Sequence, residues 1–138
     1  MSFGGAFYAL TEDQLKRVLS GSLDGEAFLK GRSTEKPAEC YSSAEQVWYE
    51  LTKLLASENG CGAEATEVVP EGGAYSYSPD VRMTAEALTL LTKNELRSRY
   101  ASLDTSFTFE AVYQAVIGLV SFYRRADRSG HAVLFNIC

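Results

Sequence analysis

The sequence predicts an α+β domain: several helices around a long buried C-terminal helix, packed with a small sheet that includes the N- and C-terminal strands. Three observations carry this. Apolar, aromatic segments stand at both ends, "FGGAFYAL" over residues 3–10 and "HAVLFNI" over residues 131–137, with the composition of strands. Helix-start signals and apolar residues at three-to-four spacing fill the interval between them. One stretch, about Phe107–Arg125, is apolar around most of its circumference and reads as the central helix. Segregated strands and helices favour α+β, with the two terminal strands paired. With 138 residues, 46% of them hydrophobic, the chain forms one domain, 1–138, with ample material for a core.

Each element follows from local chemistry. The first strand ends at "TEDQ", where Thr11 and Gln14 stand at capping-box spacing. Leu15, Val18 and Leu19 give the next helix its apolar face, and Gly21 ends it. Leu23, Ala27, Phe28 and Leu29 predict a helical turn, whereas "GRSTEKPAE" reads as loop. Ser42 and Glu45 again have capping-box spacing; Val47, Trp48, Leu51, Leu54 and Leu55 form an amphipathic face, and Asn59-Gly60 stops that helix. "VPEGGAYSYSPD" over residues 69–80 predicts a turn at Gly72-Gly73, then an extended piece with Tyr75 and Tyr77 on one side. A helix follows to about Leu91, with Ser78 as N-cap, Pro79 at its first position and Asp80 at the positive end of its dipole. "TKNE" starts a shorter helix carrying Leu96 and Tyr100. In the central helix Glu110, Gln114, Ser121 and Arg125 form one narrow polar stripe, before Ser129-Gly130 turns the chain into the last strand.

Charge is distributed unevenly. Residues 54–81 contain Glu58, Glu64, Glu67, Glu71 and Asp80 and no Lys or Arg, so this segment alone equals the net charge of −5. The seven basic residues of 82–138 outnumber its five acidic ones. A net charge of this sign argues against a nucleic-acid binder working by phosphate neutralisation, which needs a basic face. The glycines of 72–73 do not read as a phosphate cradle, because Glu71 precedes them, Asp80 follows, and the nearest cation in sequence is Arg82.

Three unpaired cysteines without a C-x-x-C motif, and an N-terminus without a basic region and long apolar run, predict a cytoplasmic protein in a reducing compartment. The longest apolar run, Ala111–Tyr123, is shorter than the ~20 residues that span a bilayer, so no membrane association is expected.

Three quoted stretches resemble one known family. They are "GGAFYALTEDQLKRVLS", "SPDVRMTAEALTLLTKNELRSRY" and "LVSFYRRADRSGHAVLFNI", and together they are similar to the YfbM-like family of small bacterial proteins over most of the chain. The resemblance implies helices around a small sheet. It implies no activity and supplies no active site.

Catalytic candidates are sparse. His131 is the single histidine and begins a strand, where a polar residue needs no special reason. One histidine and scattered cysteines make no zinc ligand set, so no metal and no cofactor are expected. Glu12 and Asp13 have an ordinary role in a first helical turn, and "RRADR" over Arg124–Arg128 reads either as dipole-complementing charge or as an anion contact. What remains is an acidic stretch flanked by tyrosines. Glu64, Glu67, Glu71, Tyr75, Tyr77 and Asp80 are the expected partner-binding residues, and a basic protein is the expected partner. The functional expectation is a non-catalytic immunity-type inhibitor that occludes a cognate bacterial toxin. The alternative is a small-ligand protein or enzyme with a pocket near the central helix.

Overall fold

Strands β1 (Gly5–Leu10) and β5 (Ala132–Ile137) pair antiparallel over six residues, from Gly5 opposite Ile137 to Leu10 opposite Ala132. The two chain ends therefore form the middle of the sheet, as their composition predicts. The computed structural model describes residues 4–42, 47–69 and 71–137. Three shorter strands complete an all-antiparallel sheet: β2 (Glu39–Tyr41), β3 (Glu64–Thr66) and β4 (Gly73–Ser76), in the order β2-β1-β5-β4-β3. β2 and β3 are the two edges. Both arise in stretches that read as loop, because three residues are too few to show an alternating pattern.

Helices cover both faces. Phe7, Ala9, Val133 and Phe135 point into a large cluster, and their neighbours Leu10, Ala132 and Leu134 point into a smaller one, as the two-residue side-chain period of a strand requires. The small cluster is closed by α1 (Glu12–Ser20) and α2 (Gly25–Leu29), through Leu15, Val18, Phe28 and Leu29. The large one is closed by α3 (Trp48–Leu54), α4 (Ser78–Leu90), α5 (Lys93–Tyr100) and α6 (Phe109–Arg128).

Local signals set most helix ends. Thr11 caps α1 with both halves of the capping box, its hydroxyl accepting from Gln14 N and its own N–H donating to Gln14 Oε1, each at 3.0 Å. Gly21 then ends the helix at φ 84°. Arg17 of α1 binds Glu35 and Asp13, tying the loop before β2 to the helix. The Arg17 guanidinium, seconded by Gln14, holds the Glu35 carboxyl down at about 2. Of the expected Ser42–Glu45 cap of α3, Glu45 lies outside the described residues. Asn59 takes φ 55° after the single 3₁₀ turn Ala56–Glu58, at the predicted stop.

α6 runs to Arg128, so Arg124–Arg128 form its last turns rather than following it. Its buried face is Val112, Ala115, Val116, Leu119, Phe122, Tyr123 and Ala126, while Ile117 on the outer side is 42% exposed. Gly118 is required by a close approach: a Cβ there would meet the Tyr41 ring. That ring lies across the helix and donates its hydroxyl to Ala115 O at 2.8 Å.

Gly73 of β4 has the tightest surroundings in the sheet, since a Cβ on it would run into the backbone of Phe135 and Asn136 in β5. Gly73→Ala is therefore expected to lower unfolding stability by about 3 kcal/mol, the upper end of overpacking costs, in chemical denaturation. A cost under ~0.5 kcal/mol, the usual range for a benign surface change, would show that β4 can retreat from β5.

Candidate functional site

The expected partner-binding residues separate into three groups. Glu64 lies in β3 directly opposite Tyr75 of β4, so the two share a sheet face. Glu64 is thus on a strand, and that strand is an edge of the sheet among the described residues. Tyr75 and Tyr77 stand together as an edge-to-face pair with centroids 5.6 Å apart. Both are half-buried against the Leu10–Leu134 cluster, so packing uses part of each ring and the rest is exposed. Glu67 and Glu71 sit in the loop joining β3 to β4, both exposed. Asp80 belongs to the first turn of α4 and is half-buried there.

The turn that carries Glu71 is held firmly. Gly72 N donates to Val69 O, and Ile137 N donates to Gly72 O, each at 3.0 Å. Glu71 takes φ 62°, a left-handed conformation that costs a non-glycine residue about 1 kcal/mol.

The acidic segment is less uniform than its sequence indicates. Glu58 is neutralised from a distance: Arg99 of α5 donates to its two carboxylate oxygens at 2.7 and 3.0 Å and to Leu54 O at 3.0 Å. Only 9% of the Glu58 side chain is exposed, and its backbone carbonyl accepts from Thr84 Oγ1. Glu64, Glu67, Glu71 and Asp80, by contrast, have no ion pair or side-chain hydrogen bond among the described residues.

The start of α4 corrects a second reading. Tyr77 is the N-cap and gives no side-chain cap bond; Ser78 and Pro79 are the first two helical residues. The missing acceptor comes from α1. Glu12 Oε1 accepts from Ser78 N at 2.7 Å and also from the Ser78 hydroxyl. These bonds from Ser78 hold the Glu12 carboxyl below its ordinary value. Glu12 is therefore a cap in trans, fixing the junction that follows the tyrosine pair.

The catalytic candidates do not converge. Cys61 is packed against the large core cluster, and burial pushes its thiol up to about 12, far from a reactive thiolate. His131 is half-buried in the turn before β5, with its backbone N–H on Ala126 O at 2.9 Å. No three His, Cys, Asp or Glu side chains among the described residues are grouped to hold a metal ion, and no described helix is long and apolar enough to cross a membrane.

A concave feature lies beside the central helix, where the sequence reading placed its alternative pocket. A cleft of about 510 Å³ runs between α4 and α6, lined by Ala85, Glu86, Thr89, Leu90, Arg124, Asp127 and Arg128. It joins a second depression of about 300 Å³ through Thr89 and Arg124, walled by apolar residues including Leu91, Ile117 and Val120. Its signal in the sequence is the pair Arg124 and Arg128, one helical turn apart.

Fold and surface together define a small α+β protein whose antiparallel sheet is covered on both faces. The chain belongs to the family described as "Domain of unknown function (DUF1877)", whose model matches residues 1–136. Among solved structures it is similar to "The Crystal Structure of a Protein of Unknown Function YfbM from Escherichia coli". That similarity has a TM-score of 0.62 at 18% identity, covering 98% of this chain and 99% of that one. The YfbM-like resemblance and the fold it implied are thereby borne out. No curated protein matches.

Two measurements test the described contacts. Glu12→Gln is expected to cost about 1 kcal/mol at pH 7, the usual effect of losing a helix cap. Because the folded Glu12 carboxyl titrates below its ordinary value of 4.5, this stabilisation is complete above that value and fades as pH falls through the folded one. Wild type and variant should converge there, and a difference that stays constant into strong acid would contradict the cap. Arg99→Ala leaves Glu58 buried and unpaired, and should cost about 3 kcal/mol by thermal or chemical unfolding.

Proposed function

We propose that this protein is a non-catalytic binding module, a cytoplasmic inhibitor of the immunity type. In this reading the β3–β4 hairpin and its tyrosines bind a basic protein surface, the active-site cleft of a cognate bacterial toxin, and occlude it. The observation that carries the proposal is the contrast in pairing: Glu58 is locked to Arg99, while Glu64, Glu67 and Glu71 are exposed without a cation.

Two further features support it. β3 is an edge strand among the described residues, so its outward main-chain groups can pair with a partner. Glu71 keeps a carboxylate at a position where glycine would relieve the backbone, and such outliers gather at functional surfaces. Toxins that act on nucleotides or nucleic acid have basic clefts that complement an acidic edge. Charge on an edge strand also deters edge-to-edge association. The two roles separate experimentally.

The test is coexpression with the toxin encoded beside the gene in the source organism, together with copurification of the pair. Wild type should restore growth and retain the toxin. The Glu64→Lys/Glu67→Lys/Glu71→Lys variant should lose both, with Kd raised by roughly 100-fold or more because like charges then face one another, while keeping its thermal midpoint. A triple variant that aggregates yet still binds with unchanged affinity would reduce the carboxylates to edge protection. Failure of the wild type to retain any such toxin would overturn the proposal.

The second reading, a small-ligand protein with a pocket beside the central helix, is favoured by one observation, the 510 Å³ cleft against α6. That volume lies within the roughly 300–1,000 Å³ of ordinary ligand pockets.

A further inference from the structure

The basic residues of the C-terminal half are nearly all engaged, and the exceptions converge. Arg82 faces Glu86 at 3.6 Å, Arg99 holds Glu58, and Arg125 reaches Glu39 at 2.8 Å. Lys93 lies over the Tyr113 ring at 4.8 Å and Arg97 over Phe109 at 4.3 Å. Of the seven Lys and Arg in residues 82–138, only Arg124 and Arg128 have neither an ion pair nor an aromatic partner among the described residues. Both line the α4–α6 cleft. They also meet, with Ser121 and Arg125, around a contiguous depression of about 260 Å³.

We infer that this cleft binds a small molecule with an apolar body and one anionic headgroup, a carboxylate or a phosphate monoester. The inference rests on the small-ligand reading of the cleft and is independent of the toxin reading.

Three observations carry it. First, the arginines are not consumed in finishing their helix. The last carbonyls of α6, on Arg125, Ala126 and Asp127, already accept from the backbone N–H groups of Ser129, His131 and Gly130 at 3.1, 2.9 and 3.0 Å. Second, the charge in the cleft is positive on balance. Arg82 faces Glu86 at 3.6 Å between exposed side chains, so three guanidiniums, Arg82, Arg124 and Arg128, stand against the two carboxylates of Glu86 and Asp127. Third, the walls away from the guanidiniums are apolar. Leu90 is 79% exposed and Ile117 42%, and along α6 the distance from Ile117 to Arg124 is roughly 10 Å at about 1.5 Å per residue. An apolar chain of that length lies on Leu90, Ile117 and Val120 while its head reaches both guanidiniums, which suit planar carboxylate and phosphate oxygens.

The test is an amide NMR titration of the full chain with decanoate, decyl phosphate, decanol and decyltrimethylammonium, each below its micelle concentration. Saturable shifts are expected at Thr89, Leu90, Arg124 and Arg128 with the two anions. The stronger of the two identifies the headgroup. The Arg124→Gln/Arg128→Gln variant should bind them at least tenfold more weakly, the loss expected for charged hydrogen bonds. Both side chains are exposed and lack ion-pair partners, so its thermal midpoint should not move. Leu90→Gln, at another exposed position, should weaken decanoate while leaving short anions such as acetate unaffected. Equal shifts at the cleft from decanol or the cationic amphiphile would overturn the anionic class but keep the small-ligand reading. No shift at the cleft with any probe would remove both.

Discussion

The pairing of β1 with β5 is the constraint on which the rest of the molecule depends. It joins residues 5–10 to residues 132–137, so it forms only after nearly the whole chain has been brought together. β5 is then bonded on both sides, by β1 and by β4, and buried on both faces. Phe135 and Val133 serve one cluster, Leu134 and Ala132 the other. Each large apolar side chain buried there contributes about 1.5–3 kcal/mol. The glycine at 73 lets β4 approach β5 closely enough for the ladder to continue, and β4 in turn holds β3 at the edge.

Around this strand the helices are fastened by polar contacts between elements distant in sequence. Glu12 of α1 caps α4, Arg99 of α5 clamps Glu58 and Leu54, and Tyr41 of β2 crosses α6 at Gly118. Tyr123, fully buried, donates to Gly60 O at 2.9 Å. Each satisfies a group that would otherwise be buried or left at a helix end without a partner, and each fixes the relative placement of two elements. The polar groups are therefore few but decisive for geometry, and the apolar clusters supply most of the stabilisation.

Among the charges left unpaired, two groups define surfaces of opposite sign. The acidic hairpin lies at one edge of the sheet, and the arginine-bearing cleft lies between two helices on one of its faces. They differ in shape as well. The hairpin ends the sheet in an edge strand among the described residues, whereas the cleft is concave with apolar walls. The proposed protein partner and the proposed anionic ligand would therefore meet different surfaces.

By itself the sequence determined the fold class, the two terminal strands, the longer helices and the YfbM-like kinship. Capping at Thr11 and Thr92, the apolar spacing of α6 and the β-rich termini are all written in residues a few positions apart; the cap at Thr108 came from the structure. The acidic stretch was legible in the same way. Only the tertiary structure decided which of its carboxylates are free, because Arg99 reaches Glu58 across 41 positions. It also decided that Glu64 and Tyr75 face one another, that Glu12 rather than Ser78 caps α4, and that Arg124 and Arg128 share a cleft with Leu90. The physical reason is common to all four. Side-chain period and capping act within a turn or two of chain, whereas pairing of charges and the shape of a cleft are set by segments that meet only when the core closes.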